Sequence, residues 1–138
     1  MDADIFFYTW TEAKEIIYHP DLAHIFAPGT FGEINISAHI DELNGDPIQG
    51  SIDRLIISTD TVLAIDFKTN QLVPKTPYQV PEGILRQLGA YAAALKKIFP
   101  DHQVETAVLW TRTRSLMKLP NHLVICLLYT SPSPRDQR

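Results

Sequence analysis

The stretch GSIDRLIISTDTVLAIDFKT, residues 50–69, decides the fold of this chain. It contains two runs of mainly apolar and β-branched residues on either side of a short polar segment, a pattern that predicts an antiparallel hairpin. A turn centred on Thr59–Asp60 places Asp53 directly opposite Asp66, with Cβ atoms ~5 Å apart. Lys68 lies two residues beyond Asp66 and therefore projects from the same face. Charged residues thus gather at one end of an otherwise apolar hairpin.

Two facing carboxylates in a half-buried sheet repel each other, and desolvation adds to that unfavourable energy. A divalent cation between Asp53 and Asp66 would reverse the sign of the interaction. Oxygen ligands suit Mg²⁺ or Mn²⁺, and the chain lacks the paired Cys or closely spaced His that would indicate zinc. Beside such an ion, Lys68 could hold the attacking water or stabilise charge on a phosphate. The hairpin alone is equally consistent with an ordinary ion-pair network in which Arg54 shields the carboxylates.

The rest of the chain predicts the other elements of a mixed α/β sheet. Periodicity and turn formers before the hairpin predict helices over 9–18 and 19–26, a strand from Glu33 to Ile40 and a turn over 41–47. After the hairpin they predict a proline-containing loop over 70–83, a helix over 82–99 and a strand over 103–111. The predicted fold is a three-strand antiparallel meander plus a further strand, flanked by helices that cover both faces.

Length and composition restrict the class of protein. A chain of 138 residues is sufficient for one domain with a core, and no apolar run approaches the ~20 residues that span a bilayer. The N-terminal segment lacks the features of a signal peptide, and the single cysteine, Cys126, excludes an internal disulfide, so we expect a cytoplasmic protein.

The net charge of −4 is only weak evidence against a nucleic acid partner, because a metal-dependent nuclease carries acidic ligands of its own. Only a local basic rim has to contact the phosphates. The candidates for this rim are Arg54, Lys68, Lys75, Arg86, Lys96, Lys97, Arg112 and Arg114.

The C-terminal segment departs from the pattern of the rest. CLLYTSPSPRDQR, residues 126–138, turns abruptly to Ser, Pro and Arg without periodicity. It is interpreted either as a disordered terminus or as translated adapter or vector sequence. The expected organisation is a domain over 1–125 followed by a non-native-looking or disordered tail over 126–138.

An ordered series of motifs carries a family resemblance. Gly50-x-x-Asp53-Arg54-Leu55, then Asp66-x-Lys68-Thr69, then Gln87-x-x-x-Tyr91 resembles the RecB-type nuclease domain of the PD-(D/E)XK superfamily. The surrounding segments GEINISAHI, AIDFKTNQLVP and QLGAYAAALKKIFP are most similar to the C-terminal part of AddA-type helicase–nuclease subunits. The resemblance covers roughly residues 20–125.

The resemblance implies a restriction-endonuclease-like core and a role for each matching residue. Asp53 and Asp66 would be metal-binding carboxylates, with the backbone carbonyl of Phe67 as a further ligand. Lys68 would be the catalytic lysine, and Gln87 and Tyr91 would help to position the site or the DNA strand. Candidate structural roles remain open for the last two, since Tyr91 lies in an apolar stripe and Gln87 could contact a loop.

Glu33 is a further candidate, because the family often has a glutamate at the start of the first strand. The family also carries an upstream helix with a metal-binding histidine. His19 and His24 lie too close to the first strand to match it, and neither is assigned to a metal. The resemblance therefore implies an N-terminally truncated domain, without the phosphate loop of a helicase motor.

The function implied is Mg²⁺- or Mn²⁺-dependent hydrolysis of DNA by one part of a helicase–nuclease in double-strand-break repair by recombination. The implied partners are a DNA single strand fed by a helicase, the helicase portion of the parent chain and an AddB-type subunit. The alternatives are a catalytically inactive DNA-binding or scaffold domain of the same fold, and a stand-alone PD-(D/E)XK nuclease.

Overall fold

A computed structural model describes residues 19–27, 29–39 and 47–128. They form a five-stranded mixed sheet with the strand order β1-β2-β3-β4-β5. The strands are β1 (Thr30–His39), β2 (Pro47–Ile57), β3 (Thr61–Lys68), β4 (Gln103–Trp110) and β5 (Ser115–Leu119). The helices are α1 (Glu82–Ile98), α2 (Asn121–Leu128), and two short 3₁₀ segments, Pro20–Phe26 and Pro77–Gln79. The α/β class and the mixed sheet are confirmed, whereas the helix predicted over 9–18 and the turn over 41–46 lie outside the described residues.

The central hairpin has the register expected from the sequence. Arg54 pairs with Ile65, and Ile57 pairs with Val62. The Ser58 N–H donates to the Thr61 carbonyl at 2.8 Å, which closes the turn at Thr59–Asp60. The prediction of the turn is therefore confirmed.

Strand β4 lies parallel to β3, from Thr61 opposite Gln103 to Lys68 opposite Trp110. Helix α1 makes the crossover between them, as a parallel pair requires. The carboxyl ends of β3 and β4 therefore meet at one edge of the sheet, called here the Lys68 edge. The loop that leaves Lys68 leads directly to α1, whose first turns lie near the same edge.

Each face of the sheet is covered, which confirms the expectation from the apolar hairpin. On one face, buried residues of α1 pack on Leu55, Val62, Ala64 and Val108. On the other face, Leu22 and Ile25 of the first 3₁₀ segment pack on Leu63, Ile65, Ala107 and Leu109. Among the described residues, no helix is long and apolar enough to cross a membrane.

Arg54 corrects one alternative drawn from the sequence. Its Nε donates to the Ile25 carbonyl at 2.8 Å, another guanidinium nitrogen donates to Thr30 Oγ1, and the guanidinium lies 5.1 Å from the centre of the Phe26 ring. Arg54 therefore fastens the 3₁₀ segment to the face opposite α1. It belongs neither to a shield over the carboxylates nor to a basic rim beside Lys68.

Strand β5 is an element that the sequence did not predict. It pairs antiparallel with β4, from Trp110 opposite Ser115 to Thr106 opposite Leu119. The connecting turn, Thr111–Arg114, reaches the left-handed region at Arg114, where φ is 53°. Such a turn normally carries Gly or Asn, and the sequence Thr-Arg-Thr-Arg has neither.

Candidate active site

The pairing of β1 with β2 is interrupted beside Asp53. Gly32 pairs with Arg54 and Ile34 pairs with Ile52, but Glu33 and Asp53, which lie between them, are left out of the ladder. Glu33 has a φ of 50°, in the left-handed region that non-glycine residues rarely adopt. Ile52 packs under α1 while Arg54 contacts the 3₁₀ segment on the opposite face, although residues two apart in a regular strand share a face. The strands therefore rotate at Asp53.

This rotation turns the Asp53 carboxylate toward the backbone of β3. The Phe67 N–H donates to Asp53 Oδ2 at 2.8 Å. Since Ser58 and Thr61 form a hydrogen-bonded pair and such pairs alternate along an antiparallel ladder, Phe67 would otherwise pair with Ile52. The ladder between β2 and β3 instead ends at Arg54 and Ile65. The two strands diverge there, and the carboxylate takes the place of a strand carbonyl.

Asp66 is the buried carboxylate of the site, with 4% of the residue exposed. Burial is the largest effect on it and raises its pKa from the ordinary 3.8 to about 6, a shift that Lys68 opposes and Asp53 reinforces by hydrogen bonding and charge. Lys68 Nζ lies 2.9 Å from Asp66 Oδ2, yet this oxygen has no well-directed hydrogen bond within the described part of the chain. The contact is therefore an ion pair that leaves the carboxylate only partly compensated.

Lys68 begins a chain of polar contacts that leads into α1. Its Nζ donates to Gln87 Oε1 at 3.3 Å, and Gln87 Nε2 donates to the Tyr91 hydroxyl at 3.1 Å. Gln87 and Tyr91 lie one helical turn apart and therefore on one side of α1. Tyr91 is also part of the core, with 6% of the residue exposed. Tyr91 therefore belongs to the core and also contacts Gln87, and its part in positioning the site stays a prediction.

The donor set fits a hard divalent cation. Asp66 Oδ2 is buried and has no well-directed hydrogen bond from any described residue, and the Asp53 carboxylate lies beside it. The Phe67 carbonyl points to the same side as the Phe67 N–H, toward the gap where β2 leaves the ladder. No cluster of three or more His, Cys, Asp or Glu side chains that could hold a metal occurs among the described residues. An ion here would keep several water ligands, as Mg²⁺ commonly does.

The structure also shows where the other candidates, Glu33, His19 and His24, lie. Glu33 lies opposite Asp53 at the break in the ladder, with an exposed side chain. His19 accepts a hydrogen bond from the Asp21 N–H through Nδ1 at 3.2 Å and so caps the 3₁₀ segment that carries the exposed His24. These two histidines belong to the segment on the face opposite α1. The structure therefore does not bring them together with Asp53 and Asp66 on the α1 side of the sheet.

The predicted basic rim separates into two groups. Arg112 and Arg114 lie in the turn after β4, at the Lys68 edge. Lys96 and Lys97 lie in the last turn of α1, at the other end of the sheet, where Lys96 Nζ donates to the carbonyls of Pro100 at 3.1 Å and His102 at 2.9 Å. Of these four candidates, only Arg112 and Arg114 therefore lie at the Lys68 edge.

Tyr91 also explains why residue 50 is a glycine. A Cβ placed on Gly50 would lie 2.6 Å from the Tyr91 hydroxyl oxygen and 2.9 Å from its Cε1. Real Cβ atoms essentially never make contacts shorter than 3.0 Å, so the Tyr91 side chain would have to move. The position of Tyr91 in the hydrogen bonds that run from Lys68 through Gln87 therefore requires that residue 50 has no side chain.

We expect Gly50→Ala to lower the free energy of unfolding by about 1–3 kcal/mol, because the added methyl group overpacks the core at Tyr91. Gly83→Ala is the matched control, since a Cβ there meets nothing within 4 Å and the residue lies in α1. That variant should be neutral or up to about 1 kcal/mol more stable. Urea unfolding of both variants measures the difference. Equal free energies of unfolding for the two variants would contradict the close contact between residue 50 and Tyr91.

Comparison with known proteins gives the family of the chain. The family model of the PD-(D/E)XK nuclease superfamily matches residues 10–124. No curated protein matches the chain. Among solved structures, the crystal structure of SSO0001 is similar with 13% sequence identity and a TM-score of 0.40. That similarity covers 87% of this chain and 65% of the other. From the family match over most of its length, the chain belongs to the PD-(D/E)XK nuclease superfamily.

Proposed function

We propose that this chain is a metal-dependent nuclease domain that hydrolyses phosphodiester bonds of DNA. The observation that carries the proposal is the pair formed by Asp53 and Asp66 at the end of a broken ladder, with Lys68 at 2.9 Å from the buried carboxylate. Burial raises the pKa of Asp66, and Oδ2 has no well-directed hydrogen bond among the described residues, so Lys68 compensates this carboxylate only in part. Membership of a nuclease superfamily supports the same conclusion.

Asp53, Asp66 and the Phe67 carbonyl would hold Mg²⁺ or Mn²⁺. Such an ion, when bound, supplies Lewis-acid polarisation of the phosphate and lowers the pKa of a bound water. Asp53 is held in place for this role by the Phe67 N–H, and Asp66 by its position in a strand that is buried on both sides. The ligands therefore lie on rigid elements, which favours a defined geometry.

Lys68 supplies the positive charge of the site. Its side chain is 26% exposed, and its ammonium group contacts Asp66 and Gln87. With the charge of Asp66 shared by an ion, the Lys68 ammonium group would hold the attacking water in place or donate a hydrogen bond to a phosphate oxygen. Gln87, held by Tyr91, keeps Nζ directed toward the carboxylate. Preorganised donors of this kind stabilise developing charge most effectively in a poorly solvated site.

The biological setting is proposed from the resemblance to AddA-type proteins. The domain would act on a single strand that a helicase delivers, in cytoplasmic repair of double-strand breaks by recombination, together with the helicase portion of the parent chain and an AddB-type subunit. One local feature supports a single-stranded substrate. Tyr78, in the loop between Lys68 and α1, is 66% exposed, and exposed aromatic rings commonly stack on unpaired bases.

A cleavage assay tests the proposed function. Labelled single-stranded and duplex oligonucleotides are incubated with the chain after treatment with EDTA, then with added Mg²⁺, Mn²⁺ or Ca²⁺. We expect cleavage only with Mg²⁺ or Mn²⁺, and faster cleavage of the single strand. Asp60→Asn, in the hairpin turn at the other end of β3, is the control and should cleave like the parent chain. DNA binding without cleavage under every ion would instead favour the inactive DNA-binding alternative.

A further inference from the structure

The turn that follows β4, Thr111–Arg114, is not assigned a role by the superfamily motifs. We propose that this turn is a phosphate-binding element that holds the DNA backbone beside Lys68, with Arg112 as its contact. The inference rests on the proposed function and adds a substrate-binding surface to it. Three features of the described residues carry it: the attachment of the turn to Lys68, its internal bonding and its charge.

The turn is attached to the backbone of the catalytic lysine. The Thr111 N–H donates to the Lys68 carbonyl at 2.9 Å, and Thr111 Oγ1 donates to the same oxygen at 3.2 Å. Thr111 is buried, with 8% of the residue exposed, and it follows Trp110, which is fully buried. Adjacent strands lie ~4.8 Å apart, so the start of the turn is one strand spacing from Lys68. A ligand held by the turn is therefore held close to the reacting centre.

The turn is also internally bonded. The Thr113 and Ser115 hydroxyl groups lie 2.7 Å apart and share a hydrogen bond. Ser115 begins β5 opposite Trp110, so both ends of the turn belong to the sheet. Arg114 adopts the left-handed φ that closes it. An element fixed in this way loses little conformational entropy when it binds.

The charge at this edge suits a polyanion. Arg112 is exposed, and no carboxylate forms an ion pair with it within residues 19–27, 29–39 and 47–128. The carboxylates at this edge are Asp53 and Asp66 of the site, beside Lys68, and Glu82, which is paired with Arg86. Asp60, Asp101 and Glu105 lie at or near the amino ends of β3 and β4, at the opposite end of the sheet. Arginine binds phosphate with parallel N–H donors and is more weakly hydrated than lysine. The partner recognised is therefore the phosphodiester backbone, without preference for base sequence.

Binding of a DNA strand in the absence of divalent ions tests this inference. Fluorescence anisotropy with a labelled single-stranded oligonucleotide in EDTA gives Kd over a range of salt concentrations. For Arg112→Gln we expect Kd to rise about fivefold to tenfold at low salt, and the slope of log K against log salt to become shallower by about 0.7, the value for one lost phosphate contact. Arg112→Lys should keep the slope of the parent chain, because it keeps the charge.

Lys118→Gln is the matched control. Lys118 lies in β5 away from the turn, is exposed, and contacts Glu105 at 3.4 Å. The Lys118→Gln variant should have the same Kd and the same slope as the parent chain. Equal slopes for Arg112→Gln and the parent chain, or a parent chain that does not bind the strand, would overturn the inference. A parent chain that binds with the expected slopes but never cleaves would contradict the proposed function and leave the phosphate-binding turn in place.

Discussion

Asp66→Asn is expected to reduce DNA cleavage by ~10³-fold or more and, at the same time, to make the metal-free protein more stable at pH 7. Activity falls because the change removes a charged ligand from the centre that polarises the phosphate. Stability rises because the parent chain has to bury a carboxylate that Lys68 compensates only in part. A carboxylate that lowers the stability of the fold but is required for activity is explained by its function and not by a structural role.

The sign and pH range of the stability effect follow from the pKa of Asp66. The folded value of about 6 lies above the ordinary 3.8, so the folded state binds the proton more tightly than the unfolded state between these values. The contribution of this carboxyl group to stability is therefore fully present below pH ~4, is lost as the pH rises to about 6, and stays lost above. The Asp66→Asn variant has no carboxyl group at this position, so its stability does not decrease in this way as the pH rises.

We expect the gain in the free energy of unfolding for Asp66→Asn to be on the order of 1–2 kcal/mol at pH 7, after allowing for the lost ion pair with Lys68. Urea unfolding in EDTA at several pH values between 4 and 7 measures the difference between the two proteins. The difference should grow from pH 4 to about pH 6 and then remain constant. A difference that does not change with pH, or a parent chain that is the more stable at pH 7, would contradict the assignment of the raised pKa.

Lys68→Ala is expected to reduce cleavage by about 10²–10³-fold while leaving metal binding intact or tighter. Cleavage falls because the ammonium group no longer stabilises charge at the phosphate. Metal binding is kept because Asp53, Asp66 and the Phe67 carbonyl remain, and the competing cation at 2.9 Å from Asp66 is gone. Parallel measurements of the cleavage rate and of Mn²⁺ affinity separate the two effects.

Lys118→Ala is the control for Lys68→Ala, because Lys118 is an exposed lysine of β5 that contacts Glu105 and lies away from the site. Lys68→Arg should not restore activity, since the planar guanidinium does not reproduce a compact ammonium between Asp66 and Gln87. Cleavage by Lys68→Ala at the rate of the parent chain would exclude Lys68 from the chemistry. Loss of metal binding would instead assign Lys68 a structural role.

The register of the central hairpin and the order of most elements were predictable from the sequence. The reason is that β-branched runs, a two-residue turn and the period of α1 are local patterns. The same register predicts that Asp53 lies near Asp66, but the direct pairing expected between them is not formed, because the ladder ends at Arg54 and Ile65. Their roles as metal ligands, and those of Gln87 and Tyr91, stay predictions.

Features that depend on contacts between distant segments were not predictable. The rotation at Asp53 results from β1, where Glu33 adopts a left-handed φ that its residue type does not indicate. Arg54 was placed near the carboxylates because it adjoins Asp53 in the chain, but its partners are Ile25 of the first 3₁₀ segment and Thr30 of β1. Thr111 contacts Lys68 only because β3 and β4 are parallel neighbours. No sequence motif marks a pairing of this kind.

The measurement that tests the central claim most directly is Mn²⁺ binding, followed by electron paramagnetic resonance and calorimetry, in the parent chain and in Asp53→Asn, Asp66→Asn and Asp60→Asn. If the first two carboxylates share one ion, each single change should weaken binding by about 100-fold or more, and Asp60→Asn should bind as the parent chain does. Parent-like affinity in either Asp53→Asn or Asp66→Asn would show that the two carboxylates do not form one metal site.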